Sequence, residues 1–179
     1  QLSLYANYME GLSQGKIAPS TSVNEDQIFP PFTSRQVEVG AKYDFGQVAF
    51  TASAFRIRQP AYETNPASRV FGPNGKRDNR GIELSVFGEP VQGVRVLGGV
   101  MYIDSELTDT VDGAYDGNRA PATPKYNVNL GGEWDVPGVK GLTLTARGIH
   151  SSSQYLDQNN SKKIDGWERY DLGARYAFK

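Results

Sequence analysis

The sequence predicts an all-β protein, an antiparallel transmembrane β-barrel segment of about eight meander strands. Polar and apolar residues alternate over strand-length segments, most regularly at 36–45 and 125–135. The sequence contains no run of about 18 apolar residues that could form a membrane-spanning helix. Short and long connections between the alternating segments also follow one another in turn, which is the pattern of bacterial outer-membrane barrels.

The alternation in segment 36–45 shows why a barrel wall is favoured. Val37, Val39 and Ala41 share one face of the predicted strand, whereas Glu38 and Lys42 share the other. Successive side chains of a strand point to opposite faces, so this many charged residues cannot all lie in a packed core. One face of the strand is therefore expected to contact water and the other an apolar environment.

Alternation and turn residues define the strands in chain order. The predicted strands are 1–10, 35–45, 47–58, 80–89, 93–107, 124–136, 141–152 and 168–178. Tight connections at 44–47, 89–93 and 136–141 are predicted to be periplasmic turns. The long polar segments are predicted to be extracellular loops: 11–34, 59–79, 108–123 and 153–167.

Strand 47–58 departs from simple alternation. Phe50, Ala52 and Ala54 share one face, but the next large apolar residues, Phe55 and Ile57, lie on the opposite face. A β-bulge inserts one extra residue into a strand and exchanges its faces. The sequence therefore predicts a β-bulge near Ala54.

The amino-acid composition limits the possible functions. The chain has 179 residues, and its 19 Lys and Arg nearly balance its 20 Asp and Glu, so no overall positive charge favours nucleic-acid binding. The absence of cysteine excludes disulfides and thiolate metal sites. We expect one barrel segment spanning 1–179, with no catalytic residues, no metal site and no cofactor.

Several segments carry a resemblance to a known family. They read LYANYMEG at 4–11, VEVGAKYD at 37–44 and DNRGIELS at 78–85, followed by GNRAP at 117–121 and YDLGARY at 170–176. In this order and spacing they closely resemble the barrel of TonB-dependent siderophore receptors. The resemblance covers essentially the whole chain.

The resemblance implies a function in transport. Receptors of this kind lie in the bacterial outer membrane, bind a ferric siderophore from outside and are energised by a TonB-type protein that acts through a plug domain. No bond of the ligand is broken, so the chain is not expected to be an enzyme. The plug and the final strands are expected to lie outside this chain, which would be part of a barrel of about 22 strands in contact with outer-membrane lipid.

The expected lumen and ligand contacts follow from the same resemblance. The polar face would surround the plug with polar side chains of mixed charge, namely Glu38, Lys42, Glu83, Lys125, Asn129, Glu133, Arg147, Asp171 and Arg175. Siderophore complexes are bulky and have flat chelating groups, so aromatic and hydrogen-bonding loop residues are the expected ligand contacts. The candidates are Tyr62, Arg69, Phe71, Tyr115, Arg119, Gln154, Tyr155 and Trp167, with Phe29 and Phe32 in the first loop.

Two rival fold assignments use the same strands. Eight strands also suffice for a small complete outer-membrane barrel with a structural or adhesive role. The charged face is alternatively the solvent face of a soluble sheet. Closure separates the complete barrel from a receptor segment, because a complete barrel pairs its first and last strands.

Two local patterns suggest other chemistry. Oxygen-bearing residues from Asp157 to Glu168 follow the spacing of a calcium loop, but Lys162 occupies the position that requires glycine. His150 and Ser152 share one strand face, as in an outer-membrane phospholipase, without an assignable third residue or oxyanion donor. A polar loop and an exposed strand end are the favoured interpretations.

Overall fold

Eight antiparallel strands, each hydrogen-bonded to its neighbours in chain order, form one sheet in the computed structural model, which describes residues 1–178. The strands of this sheet are β1 (Leu2–Ser13), β2 (Phe32–Asp44), β3 (Val48–Thr64), β4 (Phe71–Val91), β5 (Val94–Thr108), β6 (Tyr126–Asp135), β7 (Leu142–Ser151) and β10 (Trp167–Tyr176). Between β7 and β10, the short strands β8 (Gln154–Tyr155) and β9 (Lys163–Ile164) pair with each other. Within residues 1–178, no helix has the length and hydropathy of a membrane span.

The predicted antiparallel meander is confirmed, but two strands are longer than expected. β3 has 17 residues and β4 has 21, and their pairing continues from the sheet into the predicted loop 59–79. Only residues 65–70 connect them. The remaining long connections are loop 1 (14–31), loop 3 (109–125) and loop 4 (152–166), and 65–70 is called loop 2.

The register places the apolar residues on one face of the sheet. Leu4, Ala41, Ala52, Leu84, Val100 and Val128 follow one another across six paired strands. We call this surface the outer face, because apolar side chains that are exposed on a barrel wall contact lipid. The opposite, inner face carries most of the predicted charged and polar lumen residues: Glu38, Lys42, Glu83, Asn129, Glu133, Arg147, Asp171 and Arg175.

Lys125 differs from this expectation. It lies just before β6, and its Nζ is 5.4 Å from the ring centroid of Tyr102. Tyr102 pairs with Ile82 and Tyr126 on the outer face. The inner-facing position expected for Lys125 is therefore wrong, because its side chain reaches this aromatic ring from the strand end.

The β-bulge predicted near Ala54 is also wrong. Ala54 pairs regularly with Val39 and Ile82, and the register of β3 shifts only between Ala61 and Glu63. The outer face changes character after Ala54 because Arg56 begins a charged region, in which it binds Asp78. On the inner face, the Phe55 ring lies against the position where Gly81 lacks a side chain.

Ion pairs between strands stabilise the inner face at the turn end. Arg95 of β5 donates to Glu133 at 2.9 Å and to both carboxylate oxygens of Asp135 at 2.8 and 2.7 Å. The Thr143 hydroxyl of β7 donates to Asp135 at 2.7 Å. Three neighbouring strands are thus joined by side chains as well as by the backbone ladder.

The sheet has two edges. In the described part of the chain, β1 pairs only with β2 and β10 pairs only with β7. The closure expected of a complete eight-stranded barrel would require β1 and β10 to pair with each other, so this rival assignment is not supported. An unpaired edge cannot face lipid, because its backbone groups would lack hydrogen-bond partners.

We predict that Gly88→Ala destabilises the wall. Gly88 has φ of 146°, in a backbone region that alanine rarely adopts, and an added Cβ would lie 2.7 Å from Val48 Cα. Urea unfolding in detergent should show a loss of about 1–3 kcal/mol. Gly132→Ala is the control, since its Cβ would lie 3.5 Å from Arg95 O. Equal losses for both variants would show that this position does not need glycine.

Candidate functional site

At the loop end of the sheet, loop 1 and loop 2 are bound to each other. The Asn24 side chain accepts the Phe71 N–H at 2.8 Å and donates to the Phe71 carbonyl at 2.8 Å. Arg69 donates from Nη2 to the Thr21 carbonyl at 3.1 Å, and its own carbonyl accepts the Val23 N–H. These contacts hold the loops as one unit over β2 to β4.

Loop 3 and loop 4 form a second unit. The Asn160 side chain accepts the Arg119 N–H at 2.8 Å and donates to the Arg119 carbonyl at 2.9 Å. Asn118 donates to the Gln158 carbonyl at 2.8 Å. The end of loop 3 also folds back along β5, where the Ala120 N–H donates to the Ser105 carbonyl. This return buries Leu107, which is only 2% exposed.

A cavity of about 780 Å³ lies between the two loop units, and we call it the mouth cavity. It is lined by Ser13, Gln14, Lys16, Phe32, Gln59, Pro60, Ala61, Tyr62, Arg77, Leu107, Pro121, Leu156, Asp157, Gln158 and Asn159. The strand residues among them include Phe32, Gln59 and Arg77, which the register places on the inner face. The cavity therefore opens toward the side that corresponds to the barrel lumen.

Aromatic rings pack beside the mouth cavity. Tyr62 lies 5.4 Å from Phe29, 5.4 Å from Phe32 and 5.9 Å from Phe71, measured between ring centroids. Edge contacts of this kind add to the stability gained from burying the rings. The cluster fixes Tyr62 at the cavity wall and ties loop 1 to β3 and β4.

Charged and polar groups complete the wall. Lys16 from loop 1 and Arg77 from β4 supply positive charge, and Asp157 from loop 4 supplies negative charge. Arg77 donates from Nη2 to the Pro121 carbonyl at 2.6 Å, which fixes its guanidinium against loop 3. Aromatic faces, fixed donors and this volume suit a bulky polar ligand.

The predicted ligand-binding residues do not all reach this cavity. Tyr62 lines it, as does Phe32 from the first predicted loop, whereas Phe71 and Phe29 belong to the ring cluster behind it. Arg69 through its side chain and Arg119 through its backbone instead make contacts within the loop units. The remaining candidates lie outside the cavity lining: Tyr115, Gln154, Tyr155 and Trp167.

Arg77 and Lys16 line the cavity but were not predicted from the sequence. Arg77 lies within the segment predicted to be a loop, and only the extension of β4 back to Phe71 places it on the inner face. Its alternation with Gly75 and Asn79 is the signal that could have identified it. Lys16 has no comparable pattern, because loop 1 brings it to the cavity.

The residues of the two rival sites make other contacts. The Asp157 carboxylate accepts hydrogen bonds from Ser161 N and Oγ and from Lys162 N, so it closes a turn of loop 4. Ser152 Oγ accepts the Tyr126 N–H at 2.9 Å, and His150 Nδ1 lies 3.4 Å from Glu168 Oε1. Asp157 therefore stabilises a turn of loop 4, and His150 and Ser152 make the contacts of a strand end.

Glu63 is an unexpected group at this end of the sheet. It is only 3% exposed, and neither carboxylate oxygen has a hydrogen-bond partner among the described residues. The carboxylate lies against Gly75, whose Cβ, if present, would be 2.6 Å from Glu63 Oε1. Glu63 lies beyond the apolar rows of the outer face, outside the membrane-spanning part of β3. Burial, assisted by the negative charge of Asp116, raises the pKa of Glu63 to about 7.

Comparison with known proteins identifies the family. Residues 1–179 match the family model described as "TonB dependent receptor-like, beta-barrel". The chain belongs to the TonB-dependent receptor family. The chain is therefore part of a β-barrel in the outer membrane of Gram-negative bacteria, as the sequence predicts. The alternative assignment to a soluble sheet is wrong.

Relatives within the TonB-dependent receptor family are similar over nearly the whole chain. The ferrichrome receptor FcuA of Yersinia enterocolitica is 42% identical over 182 residues, which cover 99% of this chain and 24% of FcuA. The ferrichrome outer membrane transporter/phage receptor of Escherichia coli (strain K12) is 29% identical and matches 96% of this chain and 23% of its own length. The crystal structure of BauA, the ferric preacinetobactin receptor from Acinetobacter baumannii, superposes with a TM-score of 0.81 at 43% identity, over 99% of this chain and 27% of BauA. The chain thus spans about a quarter of the length of these receptors.

We predict that Glu63 makes the TonB-dependent receptor barrel less stable as pH rises. The folded-state pKa lies above the ordinary value of 4.5. The stability from holding Glu63 neutral is thus fully present below about pH 4.5 and is lost as pH rises through about 7. Glu63→Gln, which stays neutral, should be more stable than wild type by roughly 2–3 kcal/mol at pH 8.

Urea unfolding in detergent at pH 5 and pH 8 measures this effect. Glu25→Gln removes the same charge at an exposed position of loop 1, so its two unfolding curves should follow those of the wild type. If the wild type lost no more stability between pH 5 and pH 8 than Glu63→Gln does, a buried neutral Glu63 would be contradicted.

Proposed function

We propose that the chain is one barrel segment of a longer outer-membrane receptor that binds a ferric siderophore and imports it with energy from a TonB-type protein. The family membership supports the TonB-dependent mechanism. FcuA is a ferrichrome receptor and BauA a ferric preacinetobactin receptor. They are 42% and 43% identical to this chain, which supports a ferric siderophore as the ligand. The segment 1–179 would contribute wall and loops, and the plug would be contributed by another part of the receptor.

The mouth cavity is the observation that carries this proposal. Its position between the loop units, on the inner face, lies where a ligand from outside would first meet a plugged barrel. Tyr62 and Phe32 would contact the flat chelating groups of the ligand. Lys16 and Arg77 would donate hydrogen bonds to its oxygen atoms, and Arg77 is already oriented by the Pro121 carbonyl.

The other predicted residues would act around this cavity. Arg69 and Phe71 would keep loop 1 and loop 2 together, and Arg119 would keep loop 3 bound to loop 4. The residues outside the lining would contact the ligand only after the loops move over it: Tyr115, Gln154, Tyr155 and Trp167. Loops that close on a ligand exclude water and strengthen the polar contacts within the site.

The inner face suits a receptor rather than an enzyme. Its charged side chains, including Glu38, Lys42 and Glu83, would bind polar groups of a plug. The outer face would contact lipid. Energy from the TonB-type protein would act on the plug, and the ligand would cross the membrane with its bonds intact.

We predict that Tyr62→Ala weakens binding of the cognate iron-loaded siderophore at least about tenfold, because it removes an aromatic face of the mouth cavity. The complete receptor would be tested against a panel of ferric siderophores in outer-membrane vesicles. Tyr170→Ala is the control, since it removes the same side chain from a position that is 74% exposed on the outer face. Tyr62→Phe should retain most of the affinity, because it keeps the ring cluster.

The possible results of these experiments distinguish an error in the proposed site from an error in the proposed ligand. A cognate siderophore bound equally by wild type and Tyr62→Ala would remove the mouth cavity from the proposal. Failure of the whole panel to bind the wild type would contradict a siderophore ligand. Uptake that persists in cells without the TonB-type protein would contradict the proposed source of energy.

A further inference from the structure

The mouth cavity holds positive charge that has no matching counter-ion. Its lining contains two basic residues, Lys16 and Arg77, and one acidic residue, Asp157. Within residues 1–178, no carboxylate oxygen lies within 4 Å of the side-chain nitrogens of Lys16 or Arg77. Glu63 of β3 lies outside the lining, as do the other acidic residues of the loops: Glu25, Asp26, Asp109, Asp112, Asp116 and Asp165. The lining therefore carries a net positive charge.

Arg77 is the less exposed of the two cations. It pairs with Gln59 and Leu107 on the inner face, and its Nη2 donates to the Pro121 carbonyl at 2.6 Å. Burial lowers the pKa of its guanidinium below the ordinary value of 12.5, but the group stays charged at neutral pH. A guanidinium has further donors on Nε and Nη1, which can bind another molecule. A partly desolvated cation without a counter-ion is unfavourable, so the cavity favours an occupant that supplies negative charge.

Lys16 supplies a second cation, which is exposed to solvent. Its backbone carbonyl accepts the Phe29 N–H at 2.8 Å. Phe29 belongs to the ring cluster around Tyr62, so the cluster fixes the backbone of Lys16 beside the cavity. The two cations thus come from loop 1 and from β4, and a ligand between these elements would meet both.

Asp157 is already bound by its own loop. Its Oδ2 accepts hydrogen bonds from the Ser161 hydroxyl at 2.7 Å and the Ser161 N–H at 3.2 Å, and its Oδ1 accepts the Lys162 N–H at 2.7 Å. The Ser161 hydroxyl and the Lys162 N–H hold the pKa of Asp157 below its usual range. Its carboxylate therefore stays charged, but it stabilises the turn of loop 4 and forms no ion pair with Arg77 or Lys16.

We propose that the cognate ferric complex is anionic and that Arg77 selects it by binding negatively charged carboxylate or catecholate oxygens of the chelator. This inference rests on the proposed siderophore function and names the class of siderophore. The planar guanidinium donates two hydrogen bonds to such a pair of oxygens. A trishydroxamate complex of Fe³⁺ is neutral, because each hydroxamate carries one negative charge. It would cover Arg77 without supplying a counter-ion, and this cost would discriminate against it.

The test measures the binding of defined ferric complexes to the complete receptor in outer-membrane vesicles. The probes are a neutral trishydroxamate complex, a triscatecholate complex with a net charge of minus three, and a citrate complex with free carboxylate groups. Wild type should bind one of the anionic probes at least about tenfold more tightly than the neutral probe. The anionic probe that binds identifies the source of the charged oxygens. Arg77→Gln should lose most of this preference and keep its affinity for the neutral probe.

Matched variants separate the charge of Arg77 from its place in the structure. Arg80→Gln is the control, because Arg80 lies on the same strand but on the outer face, and it should keep the wild-type preference. Arg77→Lys keeps the charge without the planar group, so it should still prefer anions but bind them more weakly. Lys16→Gln should weaken anion binding by only roughly two- to fivefold, because Lys16 is exposed.

The remaining outcomes contradict the inference. A neutral probe bound as tightly as the anionic probes would overturn it, as would an unchanged preference in Arg77→Gln. Failure of every ferric complex to bind wild type would instead contradict the siderophore function on which it rests. Should Arg77→Gln not fold, the wild type provides the test. Its affinity for the anionic probe should fall as salt rises from about 0.05 to 0.5 M, whereas equal salt dependence for the neutral probe would contradict recognition of charge.

Discussion

Hydrogen bonding of the backbone is the constraint on which the rest of this structure depends. In the hydrocarbon of a membrane no water is available, so each N–H and C=O of the wall must find its partner on a neighbouring strand. The continuous antiparallel ladders from β1 to β10 satisfy this requirement everywhere except along the two outer edges of the sheet. They also fix the register, and because side chains alternate along a strand, the register decides which residues meet lipid and which meet the lumen. The apolar row from Leu4 to Val128 and the inner charges of Glu38, Glu83 and Glu133 are two consequences of one ladder.

The same requirement shapes the loop end, where the ladders stop. Loop backbone groups there are satisfied by side chains: Asn24 binds both backbone groups of Phe71, and Asn160 binds both of Arg119. Two asparagines thus define the two loop units, and the mouth cavity is the space left between them. Among residues 1–178, the Glu63 carboxylate is an exception, as are Nε and Nη2 of Arg119, because these atoms are buried without a hydrogen-bond partner. The raised pKa of Glu63 is the expected response, because a buried carboxyl group without partners is more stable when neutral.

The sequence predicts the wall well and the site poorly, for a physical reason. Alternation is a local property, and it identifies the eight strands of the sheet and the tight turns between them. It does not reveal the register shifts between Ala61 and Glu63 and between Gly88 and Val91. The site depends on contacts between residues far apart in the chain: Asn24 with Phe71 is separated by 47 positions and Arg119 with Asn160 by 41. The predicted ligand contacts Tyr115 and Trp167 lie outside the cavity. The sequence could not show this, because no local pattern indicates how the loops pack. Arg77 is an intermediate case. Its alternation with Gly75 and Asn79 is visible in the sequence, but the segment that contains it resembles a loop.

The predicted strand 47–58, which lies almost entirely in β3, departs from simple alternation because β3 contributes different residues to the two faces of the wall. The change of pattern after Ala54 reflects no bulge; it marks the height at which the outer face passes from hydrocarbon to headgroups, where Arg56 and Arg58 replace apolar residues. At this same height, Gln59 and Arg77 on the inner face of the hairpin line the mouth cavity. A hairpin of this length extends beyond the apolar band, where its stability depends on side chains as well as on the ladder. The ion pair of Arg56 with Asp78 holds its outer surface, and the Tyr62 ring cluster holds its inner surface.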